Sequence, residues 1–171
     1  MITKEQEVWL EHLSDKDLVK IFPYDSSSVA KFQKVKALIQ DKIGSIEVAH
    51  RGASSMGISG QGELDIYVPV SADKFDSLIL PLTTLFGSPG SVYPLERARF
   101  VTYVDGTKAE VFVINNQSKG WLDGVKFEEY LHSHPELIEE YKTLKEEGNG
   151  LSTRAYYRRK IEFINEILDR E

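Results

Sequence analysis

At 171 residues with 41% hydrophobic content, the chain is long enough to bury a sizeable core. Its 21 Lys and Arg against 27 Asp and Glu give a formal charge of -6, which argues against a broad basic surface for duplex nucleic acid. The absence of cysteine excludes thiol catalysis, thiolate metal sites and disulfides. Met1–Glu7 lacks the long apolar core of a secretion signal, and no window approaches the ~18 apolar residues of a membrane helix. A cytoplasmic protein without a membrane partner is expected.

In chain order, residues 4–43 read as helical, in two segments. The first carries Trp9, Leu10 and Leu13, and the second Val29, Phe32, Val35, Leu38 and Ile39 at helical spacing, with Gly44 as its stop. Between them Phe22-Pro23-Tyr24-Asp25-Ser26-Ser27-Ser28 reads as a turn leading to a helix cap, with Asp25 as the capping group. Ile46–Ala49 and Leu64–Val70 are strand candidates, and residues 72–85 form a helix interrupted near Pro81. Gly87-Ser88-Pro89-Gly90-Ser91 marks a loop, and Arg99–Val104 and Lys108–Ile114 flank the hairpin signal Asp105-Gly106. The last third is helical. Pro135 opens one helix with Leu137, Ile138, Tyr141 and Leu144 as its stripe, Gly148-Asn149-Gly150 breaks it, and a final helix carries Tyr157, Ile161, Ile164 and Leu168. Helices around a small antiparallel or mixed sheet make an α+β domain, taken as one unit over 1–171 with an amino-terminal helical extension of about 20 residues.

The chemistry concentrates in Arg51-Gly52-Ala53-Ser54-Ser55 and Glu63-Leu64-Asp65-Ile66. Strand period places Glu63 and Asp65 on one face, where two acids require water, cations or a metal. Gly52 permits close backbone approach to a phosphate, and Ser54 and Ser55 offer hydroxyl donors. The turn lacks the Gly-Lys-Ser/Thr of a P-loop and the glycine spacing of a dinucleotide fold. Alternation along Lys108–Ile114 puts Glu110 on a face with Lys108, Phe112 and Ile114. Such a glutamate is the third ligand of a divalent-metal cluster, a salt-bridge partner of Arg51, Arg97 or Arg99, or a group exposed at a sheet edge. Arg51, Arg97, Arg99 and Lys108 are candidate phosphate contacts. Tyr156 and Lys160, four residues apart, share a helical face. Trp121 packs either a base or the core, and His50 reads as a pocket-lining residue. His132 and His134 read as loop hydrogen-bonding groups.

The ordered blocks of this chain resemble the GrpB-like family, a group of uncharacterised proteins placed in the nucleotidyltransferase fold superfamily. The resemblance covers roughly residues 20–168. It is carried by Phe22-Pro23-Tyr24-Asp25, His50–Gly57, Leu64-Asp65-Ile66, Phe127–His132, His134-Pro135-Glu136, Tyr141–Lys145 and Tyr156 through Lys160. The chain departs from the family where many relatives have His-x-His and this one has Lys108-Ala109-Glu110. Glu63, Asp65 and Glu110 are similar to the acidic triad of active nucleotidyltransferases, and Lys160 enters as a phosphate contact through the family pattern.

The leading expectation is therefore magnesium-dependent transfer of a nucleotide from an NTP to an unidentified acceptor. Glu63, Asp65 and Glu110 would hold Mg2+, and Arg51, Gly52, Ser54, Ser55, Arg97, Arg99, Lys108 and Lys160 would bind phosphates. Two alternatives are a non-catalytic nucleotide- or phosphometabolite-binding domain and a partner-binding module using the terminal helices.

Overall fold

In a computed structural model that describes residues 1–170, the chain forms six helices and five strands in an α+β arrangement. It divides into two compact units, one of residues 24–57 and 62–122, the other of residues 1–23, 58–61 and 123–171. No helix of the described residues is long and apolar enough to cross a membrane.

The first of these units is built on a sheet. Strands β1 (Ala49–Arg51), β2 (Glu63–Val70), β3 (Ser91–Tyr93), β4 (Arg97–Val104) and β5 (Thr107–Asn115) lie in the order β1-β2-β5-β4-β3. The β2–β5 pairing is parallel and the others are antiparallel, so the sheet is mixed. On one face, Leu64, Ile66, Val68, Ala98, Phe100, Ala109, Val111 and Val113 are almost wholly buried. They form one core with Phe32, Val35 and Ile39 of α2 (Ser28–Ile43) and Phe75, Leu78 and Leu82 of α3 (Ala72–Phe86). The strand period that buries these residues turns Glu63, Asp65, Tyr67, Lys108, Glu110 and Phe112 to the opposite face.

Several local expectations need correction. The helix α3 runs unbroken through Pro81, because Phe75, Leu78 and Leu82 all bury against the core and hold the helix across the missing N–H. Ile46–Val48 is not a strand. The Ile46 carbonyl accepts from the Gln40 side chain at 2.9 Å, Val48 serves the core instead, and pairing with β2 begins only at Ala49. In α2 the buried stripe is Phe32, Val35 and Ile39, while Val29 and Leu38 are exposed. The edge strand β3 lies just past the glycine-proline cluster that masks it in the sequence. The Asp105-Gly106 hairpin forms as its residue types require, with φ of 48° and 79°, both in the left-handed region.

The other unit is helical, with α1 (Lys4–Glu11), α5 (Pro135–Glu147), α6 (Thr153–Leu168) and the greater part of α4 (Lys119–Ser133). Phe127, Tyr141 and Phe163 pack as an aromatic cluster, with Tyr141 and Phe163 stacked at 5.2 Å. Arg154 ties α6 to the end of α1 through the carbonyls of Leu10, Glu11 and Leu13 and through Asp15. Short bridges join Leu18 to Ser152 and Phe22 to Gly60.

Phe100 is fully buried at the centre of the sheet core. Phe100→Ala should cost about 3–5 kcal/mol, read as a lower urea midpoint at an unchanged slope.

Candidate functional site

The site is assembled by register. Asp65 on β2 stands opposite Glu110 on β5, Glu63 opposite Lys108, and Arg51 on β1 opposite Asp65. One carboxylate oxygen each from Glu63, Asp65 and Glu110 lies within 4.8 Å of the other two. All three residues are half-buried. The sequence placed these acids on a shared face, and the parallel β2–β5 ladder brings them to one point.

Cations are woven into the cluster. Arg99 donates from Nε (2.8 Å) and Nη2 (2.6 Å) to Oε1 of Glu110. Lys108 Nζ lies 3.1 Å from Glu110 Oε1 and donates to Glu63 Oε2 at 3.1 Å. Glu110 thus has the salt bridge that the sequence offered as an alternative to metal ligation. Its partners are Arg99 and Lys108. Both Arg99 hydrogen bonds fall on the same oxygen, so ion pairing and participation in the acidic cluster coexist on one carboxylate. Burial alone would raise the Glu110 pKa, but the hydrogen bonds and charges of Arg99 and Lys108 outweigh it and hold the carboxyl below its ordinary range. Lys108 shows the mirror case: burial would lower its pKa, and its bonds to Glu110 and Glu63 raise it overall.

The turn after β1 fits closely over Asp65. Gly52 has φ of 76°, and a Cβ built there would run into the Asp65 carboxylate, lying 3.3 Å from its Cγ. Glycine is required twice, by conformation and by space. The two serines shape this turn. Ser55 Oγ donates to the Gly52 carbonyl at 2.7 Å, and Ser54 Oγ lies 2.8 Å from His50 Nε2. His50 itself stacks on Phe32 with centroids 4.8 Å apart, and burial lowers its pKa, favouring the neutral ring.

A row of aromatics adjoins the acids on the same face. Tyr67 stacks on Phe112 at 4.8 Å and leans on Trp121 at 5.7 Å. The Arg51 guanidinium lies 5.2 Å from the Trp121 ring centre, and Arg97 lies over Tyr93 and Phe112. Trp121 therefore packs within this row. Sequence reasoning placed Phe112 on the face of Glu110 but named neither Phe112 nor Tyr67 as a site residue, although Tyr67 follows Asp65 by two residues and so had to share its face.

The remaining candidates have structural settings. Lys160 belongs to the helical unit, where its ammonium stands 5.4 Å from the Tyr157 ring centre. Tyr156 is fully buried and its hydroxyl accepts from Lys145 at 3.4 Å. Asp25 is not the cap of α2, whose N-cap is Ser27 without a side-chain cap bond; Asp25 instead closes a local turn, its Oδ1 accepting from the Ser27 backbone and hydroxyl and its Oδ2 from Lys31. The hydrogen bonds from Lys31 and Ser27 hold its carboxyl well below the ordinary range. His134 bonds the Tyr130 carbonyl and stacks on the Tyr130 ring.

A five-stranded mixed sheet flanked by helices defines an α+β fold. The model of the family described as GrpB protein matches residues 18–170, and the chain belongs to that family. A UPF0157 protein of Vibrio cholerae serotype O1 is 26% identical over 147 residues, which cover 85% of this chain and 78% of the relative. The crystal structure of conserved protein GrpB from Enterococcus faecalis shares the fold at a TM-score of 0.66 and 17% identity, covering 88% of this chain and 98% of that one.

Two outcomes follow from the packing. Gly52→Ala should destabilise the protein by at least about 1 kcal/mol and displace Asp65, read by thermal unfolding and by the Asp65 amide resonance. Because the folded-state pKa of Glu110 is lowered, its contribution is present above the unfolded-state value and lost as pH falls through the folded one. Glu110→Gln should therefore be less stable than the parent at neutral pH, with the gap in melting temperature narrowing on acidification below the carboxylate range.

Proposed function

We propose that this protein is a divalent-metal-dependent nucleotidyltransferase that moves a nucleotide from an NTP to an acceptor. The observation that carries the reading is the convergence of Glu63, Asp65 and Glu110 within 4.8 Å. An all-carboxylate donor set is the chemistry that hard cations such as Mg2+ select. Arg99 and Lys108 pair with Glu110 and Glu63, and the Oε1 of Glu110 that they engage belongs to a residue of the same cluster. Glu63, Asp65 and Glu110 would hold the ion, which when bound would polarise phosphoryl oxygens.

The chain's own groups supply the rest of the chemistry. Gly52 lets backbone close over Asp65 and leaves the turn without a side chain where phosphate oxygens would approach. Arg51 ends β1 and the hydroxyl of Ser54 lies on the turn that follows, and Lys108 sits between two acids from which it can follow charge developing on the transferred phosphoryl group. Attack of an acceptor hydroxyl on the α-phosphorus forms the new P–O bond and breaks the bond to the β-phosphate, releasing pyrophosphate. The acceptor proton passes to a carboxylate of the cluster.

The test is titration with Mg2+ and Mn2+, followed by an assay for pyrophosphate release from each NTP with a mixed pool of acceptors. Asp65→Asn should weaken metal binding by at least about 100-fold, since even loss of a group that only orients a metal ligand costs 10–100-fold. It should also abolish metal-dependent turnover. Metal binding unchanged in Asp65→Asn, or the same in the parent as in a triad-free variant, overturns the reading. Nucleotide binding without turnover in any acceptor pool would favour a binding domain, a role consistent with the ion pairs already present at Glu110.

A further inference from the structure

Of the cations on the triad's face of the sheet, Arg99 and Lys108 spend their donors on Glu110 and Glu63. Arg97 is different. Its guanidinium lies over two aromatic rings, 5.1 Å from the Tyr93 centre and 5.8 Å from that of Phe112. Among the described residues, no carboxylate or hydrogen-bond acceptor engages its side chain. Stacking occupies the faces of a guanidinium and leaves its edge, with the N–H fork, open in the ring plane.

Register sets Arg97 opposite Ile114, four residues from Glu110 and about 13 Å along β5, and its guanidinium lies 5.8 Å from the Phe112 ring centre, on the side of the triad. An oxyanion on Arg97 would therefore lie within the length of an extended small molecule of the triad. The Gly52 turn leaves the sheet from β1, three strands away from β4, a separation of about 14 Å across the sheet. One phosphate cannot be gripped by both.

We infer that Arg97, lying over Tyr93 and Phe112, is a second oxyanion subsite that binds a carboxylate or phosphate group of the acceptor. Its assignment to an acceptor rests on the transfer reading above, whereas the oxyanion site itself does not. The subsite makes the acceptor class an anionic small molecule, oriented with its hydroxyl towards the acids and its anionic end on Arg97. A planar fork presenting two parallel N–H bonds recognises carboxylate and phosphate monoester alike, and lysine at this position would not reproduce it.

The experiment is side-chain and backbone NMR of the full chain, following arginine Nε–Hε resonances during titration with inorganic phosphate and, separately, acetate at constant ionic strength. The expected result is a saturable shift of the Arg97 resonance and of the Tyr93 and Phe112 amides, with the exposed Arg170 unmoved. The tighter of the two anions identifies the group. Arg97→Lys should weaken the response at Phe112 by about tenfold, and Arg97→Gln should abolish it while the remaining spectrum stays dispersed. An Arg97 resonance that does not move, or that moves no more than that of Arg170, overturns the inference. A parallel Mg2+ titration separates the two readings. A response at Asp65 and Glu110 with Arg97 silent to anions sinks the subsite alone. An anion response at Arg97 with the triad silent to metal supports the subsite and sinks the transfer reading.

Discussion

The parallel pairing of β2 with β5 sets Asp65 directly against Glu110, two like charges on neighbouring strands about 5 Å apart. Such a pair is unfavourable unless compensated. Compensation comes from Arg99 on β4 and Lys108 on β5, so each of the strands at the sheet centre contributes a charge to one network. The other face of the same strands carries the apolar residues that close the core. A one-residue slip would move the acids into the core and the valines into the site. The hydrophobic face thereby fixes the position of every group in the acidic cluster.

How much of this was legible depended on the range of the interaction. Period-two alternation placed Glu63 with Asp65, and Lys108 with Glu110, and the Asp105-Gly106 turn announced the β4–β5 hairpin. The convergence of the acids needed strand order, which no local pattern carries. The sequence offered Arg51, Arg97 and Arg99 equally as partners of Glu110, and it is Arg99, two residues from the Val101 that stands opposite Glu110, whose side chain reaches it diagonally. Failures were also physical. Proline did not interrupt α3 because tertiary burial exceeded its cost, and Ile46–Val48 had the composition of a strand but one of its carbonyls was claimed by Gln40. The serines of the Gly52 turn read as phosphate donors, and the structure shows what sequence could not: their hydroxyls already hold contacts to Gly52 and His50.

The carboxyl-terminal blocks that carry much of the family resemblance have a packing explanation. Lys145 is buried with its ammonium 4.7 Å from the Tyr141 ring centre and donates to the Tyr156 hydroxyl. Gly148 belongs to the same arrangement, since a Cβ there would come 2.5 Å from the Tyr156 ring. Tyr141, Lys145, Gly148 and Tyr156 thus form one interlocked set inside the helical unit, a reason for their spacing that needs no ligand.

The mixed sheet also has a kinetic side. The β4–β5 hairpin closes over a two-residue turn, whereas β2 meets β5 only after a long stretch of chain is looped back, the paired Glu63 and Lys108 being 45 positions apart. Local closure precedes distant closure because the entropy cost of a loop grows with its length. On this ordering Arg99, Lys108 and Glu110 are already joined when Asp65 arrives, so the growing structure meets its like-charge contact only after the neutralising cations are in place. The order in which the strands assemble thereby spares the folding chain the repulsion that the finished site contains.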